Sequence, residues 1–249
     1  MDFFSDIGFI LANYWQDFLL GVGWTLLISL IATLIGLVLG LVIGIIRTIP
    51  YSKNKFLFGL QKFINFLLTA YIEIFRGTPM MVQAVVIYWG YAFMMGGQTL
   101  PLISSAIVIV SINTGAYISE IVRGGINGID KGQFEACHAL GMSHFQTMVH
   151  VIIPQVMKSI LPAVSNEFVI NIKDTSVLNV IGVTELYFVM SVTVKMTYKN
   201  FPVYFIGAVI YFILTFLVTR IIKLIEKKLI GKKNYSLYTS DAIGLMETN

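Results

Sequence analysis

The chain has 249 residues, of which 57% are hydrophobic and 12% are charged, and its formal net charge is +4. Soluble globular domains carry about 25% charged residues, so this sequence has too few ions to cover a water-facing surface. Its mean hydropathy is +0.81, and at about 20 residues per span it could cross a bilayer five or six times, which leaves no room for a separate soluble domain.

The first predicted span covers residues 18–46, because that stretch contains no charged residue and is long enough to cross a membrane with tilt. Gly36, Gly40 and Gly44 recur every four residues and therefore share one helix face. Small residues on a membrane helix let another helix approach closely, so we expect this face to pack against a neighbouring span. The alternative is that the helix merely tolerates these glycines.

The second predicted span covers residues 63–93 and is irregular, because it contains charged residues and the sequence Gly77-Thr78-Pro79. As one straight helix it would be about 46 Å long. That length exceeds a hydrocarbon core of about 30 Å. We therefore expect a helix that is broken near residues 77–79. A third span follows at residues 102–122.

The fourth and fifth predicted spans are residues 163–190 and 202–222, and a polar loop, residues 123–162, precedes them. Cytoplasmic segments of membrane proteins are enriched in Lys and Arg. Five spans, with the N-terminus outside and the C-terminus in the cytoplasm, place 13 of the 17 basic residues in cytoplasmic segments. Six crossings would separate the basic clusters. The sequence thus predicts an all-α polytopic membrane protein with about five transmembrane helices in a single domain, residues 1–249.

Residues 123–162 form the only sizeable polar segment of the sequence. Asp130 and Ser143 are each followed three residues later by glutamine, which is the pattern of a capping box at the start of a helix. Gly141 predicts the end of the first short helix, and Pro154 predicts the end of the second. Two short capped helices with an apolar face suit the docking of a soluble partner, although a helical hairpin lying on the membrane has the same pattern.

The same segment contains a longer pattern. Glu135-Ala136-Cys137 is followed by three residues, Gly141, nine residues and Val151-Ile152-Ile153-Pro154. This resembles the EAA loop of ABC importer permeases, in which Glu-Ala-Ala, three residues, Gly, nine residues and Ile-x-Leu-Pro occur at the same spacing. Three positions depart from that pattern, each by an apolar residue of similar volume: Cys137, Val151 and Ile153.

In that family the loop is the coupling helix, which sits in a cleft of a cytoplasmic ATPase. The resemblance implies that Glu135 and Gly141 set the shape of the loop, and that Phe145 and Met148 contact the ATPase. The residues it implies for coupling are Glu135, Ala136, Gly141, Phe145, Met148 and Pro154.

Three other segments are similar to the polar amino acid branch of these permeases: Tyr71–Pro79, Lys173–Leu178 and Ile181–Leu186. The resemblance covers roughly residues 18–228 and implies the type I ABC importer permease fold in a bacterial cytoplasmic membrane. It also implies two copies of an ABC ATPase, an external amino acid-binding protein and a second permease, which is either a copy or a homologue. ATP and Mg would be bound by the ATPase, and we expect no cofactor in this chain.

Glu73, Arg76, Lys173 and Asp174 fall inside the predicted spans, where each costs about 2.5–3.5 kcal/mol at the bilayer centre. Such residues face a cavity or each other. One hypothesis is that they line a substrate path, because a zwitterionic amino acid needs an acceptor for its ammonium group and a donor for its carboxylate. The alternative is that they are paired ions that hold spans two and four together. The predicted path residues are Glu73, Arg76, Lys173, Asp174, Thr175 and Ser176.

Several function classes find no support in the sequence. No Gly-x4-Gly-Lys-Ser/Thr loop, His-Glu-x-x-His or Gly-x-Ser-x-Gly motif occurs, so we expect neither ATP binding in the P-loop manner nor an enzyme. The three histidines share no helix face, and we expect no metal site or nucleic-acid partner. An ion-gradient-driven transporter that uses Glu73 or Asp174 is the second hypothesis, although an odd number of spans shows no inverted repeat. The particular amino acid, and the choice between homodimer and heterodimer, stay open.

Overall fold

The computed structural model of the chain describes residues 2–230, and all regular secondary structure in that range is helical. The predicted all-α class is therefore confirmed. A π-helical turn covers Met148–Ile152, and a 3₁₀ helix covers Thr175–Ile181. Lys232 and Lys233, two of the 13 basic residues placed in cytoplasmic segments by the predicted topology, lie outside the described residues. The α-helices are α1 (Phe3–Ile46), α2 (Lys55–Gly77), α3 (Met80–Met94), α4 (Leu102–Asn127), α5 (Lys131–Ala139), α6 (His144–Thr147), α7 (Ile153–Asp174), α8 (Leu186–Thr197) and α9 (Asn200–Ile230).

Five helical segments within residues 2–230 are long and apolar enough to cross a membrane, which confirms the expected number of spans. The helices Met80–Met94 and Leu186–Thr197 are apolar but shorter. The five segments are Phe3–Ile46, Lys55–Gly77, Leu102–Asn127, His144–Ile181 and Asn200–Leu229.

The first helix begins at Phe3, well before the predicted start of the span. The Asp2 side chain caps it by accepting a hydrogen bond from the Phe4 N–H at 3.3 Å. With 44 residues the helix is about 66 Å long. That is more than twice the thickness of a hydrocarbon core of about 30 Å. An ion pair between Asp6 and Lys199 ties the early turns of α1 to the start of α9.

The second span is broken where the sequence predicts it, because α2 ends at Gly77 and α3 begins at Met80. Thr78 has an extended backbone, with φ −124° and ψ 147°. A residue that precedes proline is disfavoured from the helical conformation, and Pro79 therefore enforces the break. The two half-helices meet at Thr78 and Pro79.

The fourth span is the continuous helical segment His144–Ile181, which differs from the predicted range 163–190 at both ends. On the N-terminal side, Pro154 does not stop the helix. On the C-terminal side, Gly182 takes φ +90°, a conformation that glycine adopts without strain. The chain then restarts as the separate helix α8, so residues 186–190 do not belong to the fourth span.

The glycine face of α1 packs against α4, the most buried of the spanning helices. A Cβ atom added at Gly36, Gly40 or Gly44 would lie 2.9, 2.6 or 2.7 Å from a side-chain atom of α4. Side chains do not approach each other that closely, so only glycine permits this helix separation. The expectation that this face packs against another span is confirmed.

The segment before residue 18, which resembles nothing we can name, takes part in the packing. Ile10 and Phe18 are buried together with Leu186 of α8. The Phe3 ring lies 5.4 Å from the ring of Phe201 on α9, measured between centroids. The first turns of α1 therefore form one apolar cluster with α8 and α9.

Candidate functional site

A cavity of about 250 Å³ lies where the broken second span meets α4 and α7. Six of its nine lining side chains are polar, although the spans that form it are largely apolar. The break contributes Thr78, α4 contributes Asn113 and Tyr117, and α7 contributes Glu167, Asn171 and Asp174.

A second, larger groove of about 360 Å³ lies between α1 and α8. Its lining is mainly apolar and aromatic, and Asp17 is its one charged side chain. Binding sites for polar solutes need several polar groups that converge on one volume. The smaller cavity meets that requirement, so it is the candidate site.

Two buried amides hold the helix break open at the cavity. The Gln83 side-chain N–H groups donate to the carbonyl oxygens of Phe75 and Thr78, each at 2.9 Å. Asn113 donates to the Gln83 side-chain oxygen at 2.9 Å and to the Phe75 carbonyl at 3.2 Å. These carbonyls have lost their helical donors, and a bilayer core offers no water to replace them. The amides therefore stabilise the broken backbone.

The charged groups of the cavity are mainly acidic. Glu167 and Asp174 stand seven residues apart on α7, which is about two helical turns, so both face the cavity. The Arg76 guanidinium lies 5.3 Å from the centroid of the Tyr117 ring. Arg76 and Asp174 are the charged neighbours that interact with Glu167. The cavity thus combines two carboxylates with one guanidinium at its edge.

A buried hydrogen-bond network fixes α7 beside the cavity. The Asn171 side-chain nitrogen donates to the Thr33 hydroxyl at 2.8 Å and lies 3.0 Å from the Thr114 hydroxyl. Thr33 in turn donates to the Ser29 carbonyl at 2.7 Å. Because the three hydroxyl and amide side chains belong to α1, α4 and α7, the network sets the position of the carboxylates on α7 relative to the other spans.

Two of the six predicted path residues lie at this cavity. Asp174 lines it, and Arg76 lies at its edge. Thr175 is buried and donates to a backbone carbonyl of its own helix at 3.1 Å, while Ser176 is half-buried. Neither hydroxyl residue lines the cavity.

Glu73 and Lys173 are exposed, and neither lines the cavity. Neither forms a salt bridge with any of residues 2–230. The alternative hypothesis required Glu73 and Lys173 to form ion pairs between spans two and four. Within the described chain, neither residue forms such a pair.

Five residues of the site were not predicted from the sequence: Gln83, Asn113, Tyr117, Glu167 and Asn171. Glu167 precedes Asp174 by two helical turns, and this periodicity would have placed the two carboxylates on one face. Gln83 and Asn113 are isolated amides in apolar spans, and the sequence does not indicate that they meet each other.

The polar loop contains the two predicted short helices, but only one complete capping box. The Asp130 carboxylate accepts a hydrogen bond from the Gly132 N–H at 2.6 Å, whereas the Gln133 side chain accepts none from the Asp130 backbone N–H. At the second helix, Ser143 and Gln146 each accept a hydrogen bond from the other's backbone, at 3.3 and 2.9 Å. The second predicted box is confirmed, and the first is half formed.

Gly141 ends the first short helix as predicted. It takes φ +74°, a left-handed conformation that favours glycine. The Gly141 N–H donates to the His138 carbonyl at 2.9 Å, and the Met142 N–H donates to the Cys137 carbonyl at 3.0 Å. These two bonds form a Schellman motif, which fixes the angle between α5 and the following helix.

Pro154 does not close the second short helix, in contrast to the prediction. Proline has no N–H, and its ring clashes with the carbonyl four residues earlier in a regular α-helix. Here the wider π-helical turn Met148–Ile152 precedes it, and the Ile153 N–H donates to the Met148 carbonyl five residues back. The helix therefore continues through Pro154, and the loop and the fourth span form one helical segment.

Two large apolar side chains are exposed on the outer surface of the loop. Leu140 is 81% exposed and Phe145 is 74% exposed, and Glu135 and Ala136 are exposed nearby. Met148 is only 5% exposed, in contrast to its predicted role in contacting a partner. Met148 supports the loop from inside, where it packs in one cluster with residues of α4 and α7.

An ion network joins the ends of α1 and α4 near this loop. Glu120 pairs with Arg123 at 2.7 Å and also with Arg47. Glu120 and Arg123 stand three residues apart and therefore share one face of α4, which allows them to pair. Arg47 is the additional partner, and it connects the C-terminal end of α1 to the same carboxylate.

Comparison with known proteins gives a consistent result. Residues 56–231 match the family described as "Binding-protein-dependent transport system inner membrane component". The arginine transport system permease protein ArtQ of Bacillus subtilis is 37% identical over 159 residues, which are 64% of this chain and 72% of ArtQ. The glutamine transport system permease protein GlnP of Escherichia coli K12 is 35% identical over 165 residues, which are 66% of this chain and 75% of GlnP.

Solved structures show the same fold. A chain of the crystal structure of an amino acid ABC transporter with histidines has a TM-score of 0.76 and 35% identity, and the match covers 92% of this chain and 99% of that chain. A chain of the inward-facing MetNI methionine ABC transporter has a TM-score of 0.71 at 20% identity, over 86% of this chain and 97% of that chain. The second likeness concerns the fold alone.

Proposed function

Because this chain belongs to the family of binding-protein-dependent transport system inner membrane components, we propose that it forms the membrane pathway of an ATP-driven importer of polar amino acids. The observation that carries this proposal is the cavity at the break between α2 and α3. A membrane protein keeps non-helical backbone and charged side chains at such a place where they meet a solute or water.

The chemistry of the cavity favours a solute with amino groups. Glu167 and Asp174 supply acceptors for ammonium or guanidinium groups, and Arg76 at the edge supplies a donor for a carboxylate. A neutral or cationic amino acid satisfies this set, whereas an acidic side chain would meet two carboxylates. The names of ArtQ and GlnP, which refer to arginine and glutamine, agree with that preference.

The energy for transport would come from a separate ATPase that binds ATP and Mg. The apolar surface of the loop is the docking element, in which Glu135, Ala136, Gly141, Phe145 and Pro154 hold or present the contact. Phe145 and Leu140 are its exposed apolar groups. Met148 maintains the shape of the loop from its buried side.

The complete transporter would contain two permease subunits, two ATPase subunits and an external binding protein that delivers the amino acid. The basic segments favour an arrangement with the N-terminus outside and the C-terminus in the cytoplasm of a bacterial cell. The loop then faces the ATPase, and the turn between α8 and α9 faces the binding protein.

The test is uptake by liposomes that contain the full transporter, with ATP inside, binding protein outside and ionophores that collapse ion gradients. We expect ATP-dependent accumulation of labelled arginine, with stronger competition by lysine and histidine than by glutamate. Accumulation that follows an imposed ion gradient without ATP would refute the proposal.

The cavity is tested in the same assay by Glu167→Gln and Asp174→Asn. Each change removes a charge-assisted hydrogen bond worth about 1.5–3 kcal/mol, so uptake of a cationic amino acid falls about tenfold or more. Asp17→Asn, which alters a carboxylate in the other groove, is the matched control and leaves uptake unchanged. Equal uptake by all three variants would remove the cavity from the pathway.

A further inference from the structure

Glu73 and Lys173 are exposed charged side chains on membrane-spanning helices, and the one charge recorded as acting on either of them is Asp174, which is adjacent to Lys173 in the sequence. Glu73 lies on α2 and Lys173 lies on α7, both are exposed, and no salt bridge within residues 2–230 includes either one. The side chains that do pair, such as Glu120 with Arg47, lie near helix ends. No salt bridge within the described residues therefore explains why these two charges are exposed on spanning helices.

Both residues lie close in sequence to the helix break or to residues that bond to the middle of α4. Asn113 is close to the midpoint of α4, Leu102–Asn127, and its hydrogen bonds mark the level of the helix break. Glu73 stands five residues before Thr78 at that break, and Lys173 stands two residues after Asn171, which bonds to α4. A charged group at this depth is too costly to face lipid.

The two side chains also flank the cavity. On α7, Lys173 is rotated by about 100° from Asp174, and it shares an exposed face with Asn166, which is seven residues away. On α2, Glu73 lies three residues from Arg76, which stands at the edge of the cavity. Glu73 on α2 and Lys173 on α7 thus stand close in sequence to residues at the same opening, and they carry opposite charges.

We propose that Glu73 of one chain pairs with Lys173 of a second copy of the same chain, across a two-fold interface that closes the cavity. In such an interface each contact occurs twice, with the roles of the two copies exchanged. Since both members of the pair belong to this sequence, the chain is complementary to itself. The partner subunit is therefore a second copy, and not a homologue.

This inference rests on the proposed function only in requiring two permease subunits side by side. A lipid surface does not satisfy the two charges, because neither is near the interfacial level. A homologous subunit would need to supply the matching charges from a different sequence, whereas a second copy supplies both of them from its own.

The first experiment uses two differently tagged full-length chains, produced together with the ATPase and the binding protein. Cys137→Ala removes the one native cysteine, which is buried. One chain carries Glu73→Cys and the other carries Lys173→Cys. The residues of an ion pair are too far apart for a disulfide, whose Cβ atoms lie about 3.8 Å apart, so a short thiol-to-thiol reagent joins them.

We expect a cross-linked product that contains both tags. Glu73→Cys combined with Lys195→Cys is the matched control, because Lys195 is an exposed lysine on α8 and lies outside the proposed interface. This control pair gives no product. Co-purification of both tags without the Glu73–Lys173 product would refute the contact while leaving two copies in the complex.

The second experiment exchanges the charges. Glu73→Lys and Lys173→Glu alone each place like charges opposite one another, and each lowers amino acid uptake at least about tenfold. The double variant restores the pair and recovers most of the uptake. A double variant that is as inactive as the single ones would overturn the proposal.

The outcomes separate this inference from the function on which it rests. A transporter that accumulates amino acids with ATP but contains only one of the two tags has a homologous second subunit, so the inference fails and the proposed function stands. A wild-type complex with no ATP-dependent uptake refutes the proposed function, and the cross-linking result still shows whether two copies meet at these residues.

Discussion

The side chains that matter most to the cavity are amides and hydroxyls buried among apolar spans. Gln83 and Asn113 complete the hydrogen bonds of a broken backbone, and Asn171 connects α7 to Thr33 and Thr114. Each satisfies groups that would otherwise be unpaired in a region without water. The position of the cavity carboxylates therefore depends on uncharged amide and hydroxyl side chains.

Replacement of Gln83 by Ala tests this dependence. The change leaves the carbonyls of Phe75 and Thr78 without a donor, and each unpaired buried group costs about 1–3 kcal/mol. We expect a lower Tm for the purified transporter in detergent. Gln98→Ala, an exposed glutamine in the turn after α3, is the control and keeps the wild-type Tm. Equal values for both variants would contradict the role of Gln83.

Gly40 tests the contact between α1 and α4. An added Cβ atom would lie 2.6 Å from the Ile118 side chain and 2.9 Å from the Ser119 backbone nitrogen. Overpacking of this kind costs about 1–3 kcal/mol, so Gly40→Ala lowers the Tm. Gly23→Ala places its methyl group on the same helix in open space and leaves the Tm unchanged. Equal Tm values for the two variants would contradict the packing role of Gly40.

At the scale of helices, the sequence predicts well what depends on short patterns. The break at Thr78 and Pro79 follows from proline and from the excess length of the span. The caps at Ser143 and Gly141 follow from local hydrogen-bonding residues. Pro154 was predicted incorrectly as a helix end, because a π-helical turn can bypass proline and leaves no sequence signal of its own.

The loop helix is tested by Gly141→Ala. Gly141 has φ +74°, and a left-handed backbone costs a residue with Cβ about 1–2 kcal/mol. No atom lies near the added methyl group, so the effect comes from the backbone alone and changes the angle at the end of α5. We expect severalfold weaker stimulation of ATPase activity by the binding protein, with unchanged assembly.

Gly124→Ala is the matched control for that experiment. Gly124 lies in α4, and its added methyl group also meets no atom within 4 Å, but its backbone is helical. Stimulation of the ATPase is then the same as in the wild type. If the binding protein stimulates ATPase activity equally in the Gly141→Ala and Gly124→Ala variants, the left-handed turn is not needed for coupling.

For the whole molecule, composition and charge distribution predict the class and the number of spans, and the spacing of the loop motif carries the family resemblance. They do not predict which charged residues meet. Glu167 and Arg76 are separated by about ninety residues in the sequence, and their approach depends on how α2 and α7 pack. The early start of α1 was also not predicted, because Asp6 pairs with Lys199, which lies 193 residues later in the sequence.

The orientation of the molecule is open to a direct measurement. In a chain without Cys137, Tyr198→Cys places a thiol in the turn between α8 and α9, where the side chain is 87% exposed. Phe145→Cys places one on the loop, where the side chain is 74% exposed. Because basic segments stay in the cytoplasm, an impermeant maleimide labels the Tyr198→Cys variant in intact cells and the Phe145→Cys variant only after permeabilisation. The reverse pattern would invert the proposed arrangement.

The uninterrupted course of the helical segment His144–Ile181 has a mechanical consequence. Glu167 follows His144 by 23 residues, which corresponds to about 35 Å of helix. Because the helical backbone is continuous between them, one chain segment connects the loop to the cavity carboxylates. Solute binding at the cavity and movement of the ATPase at the loop would then act on different parts of one continuous helical segment.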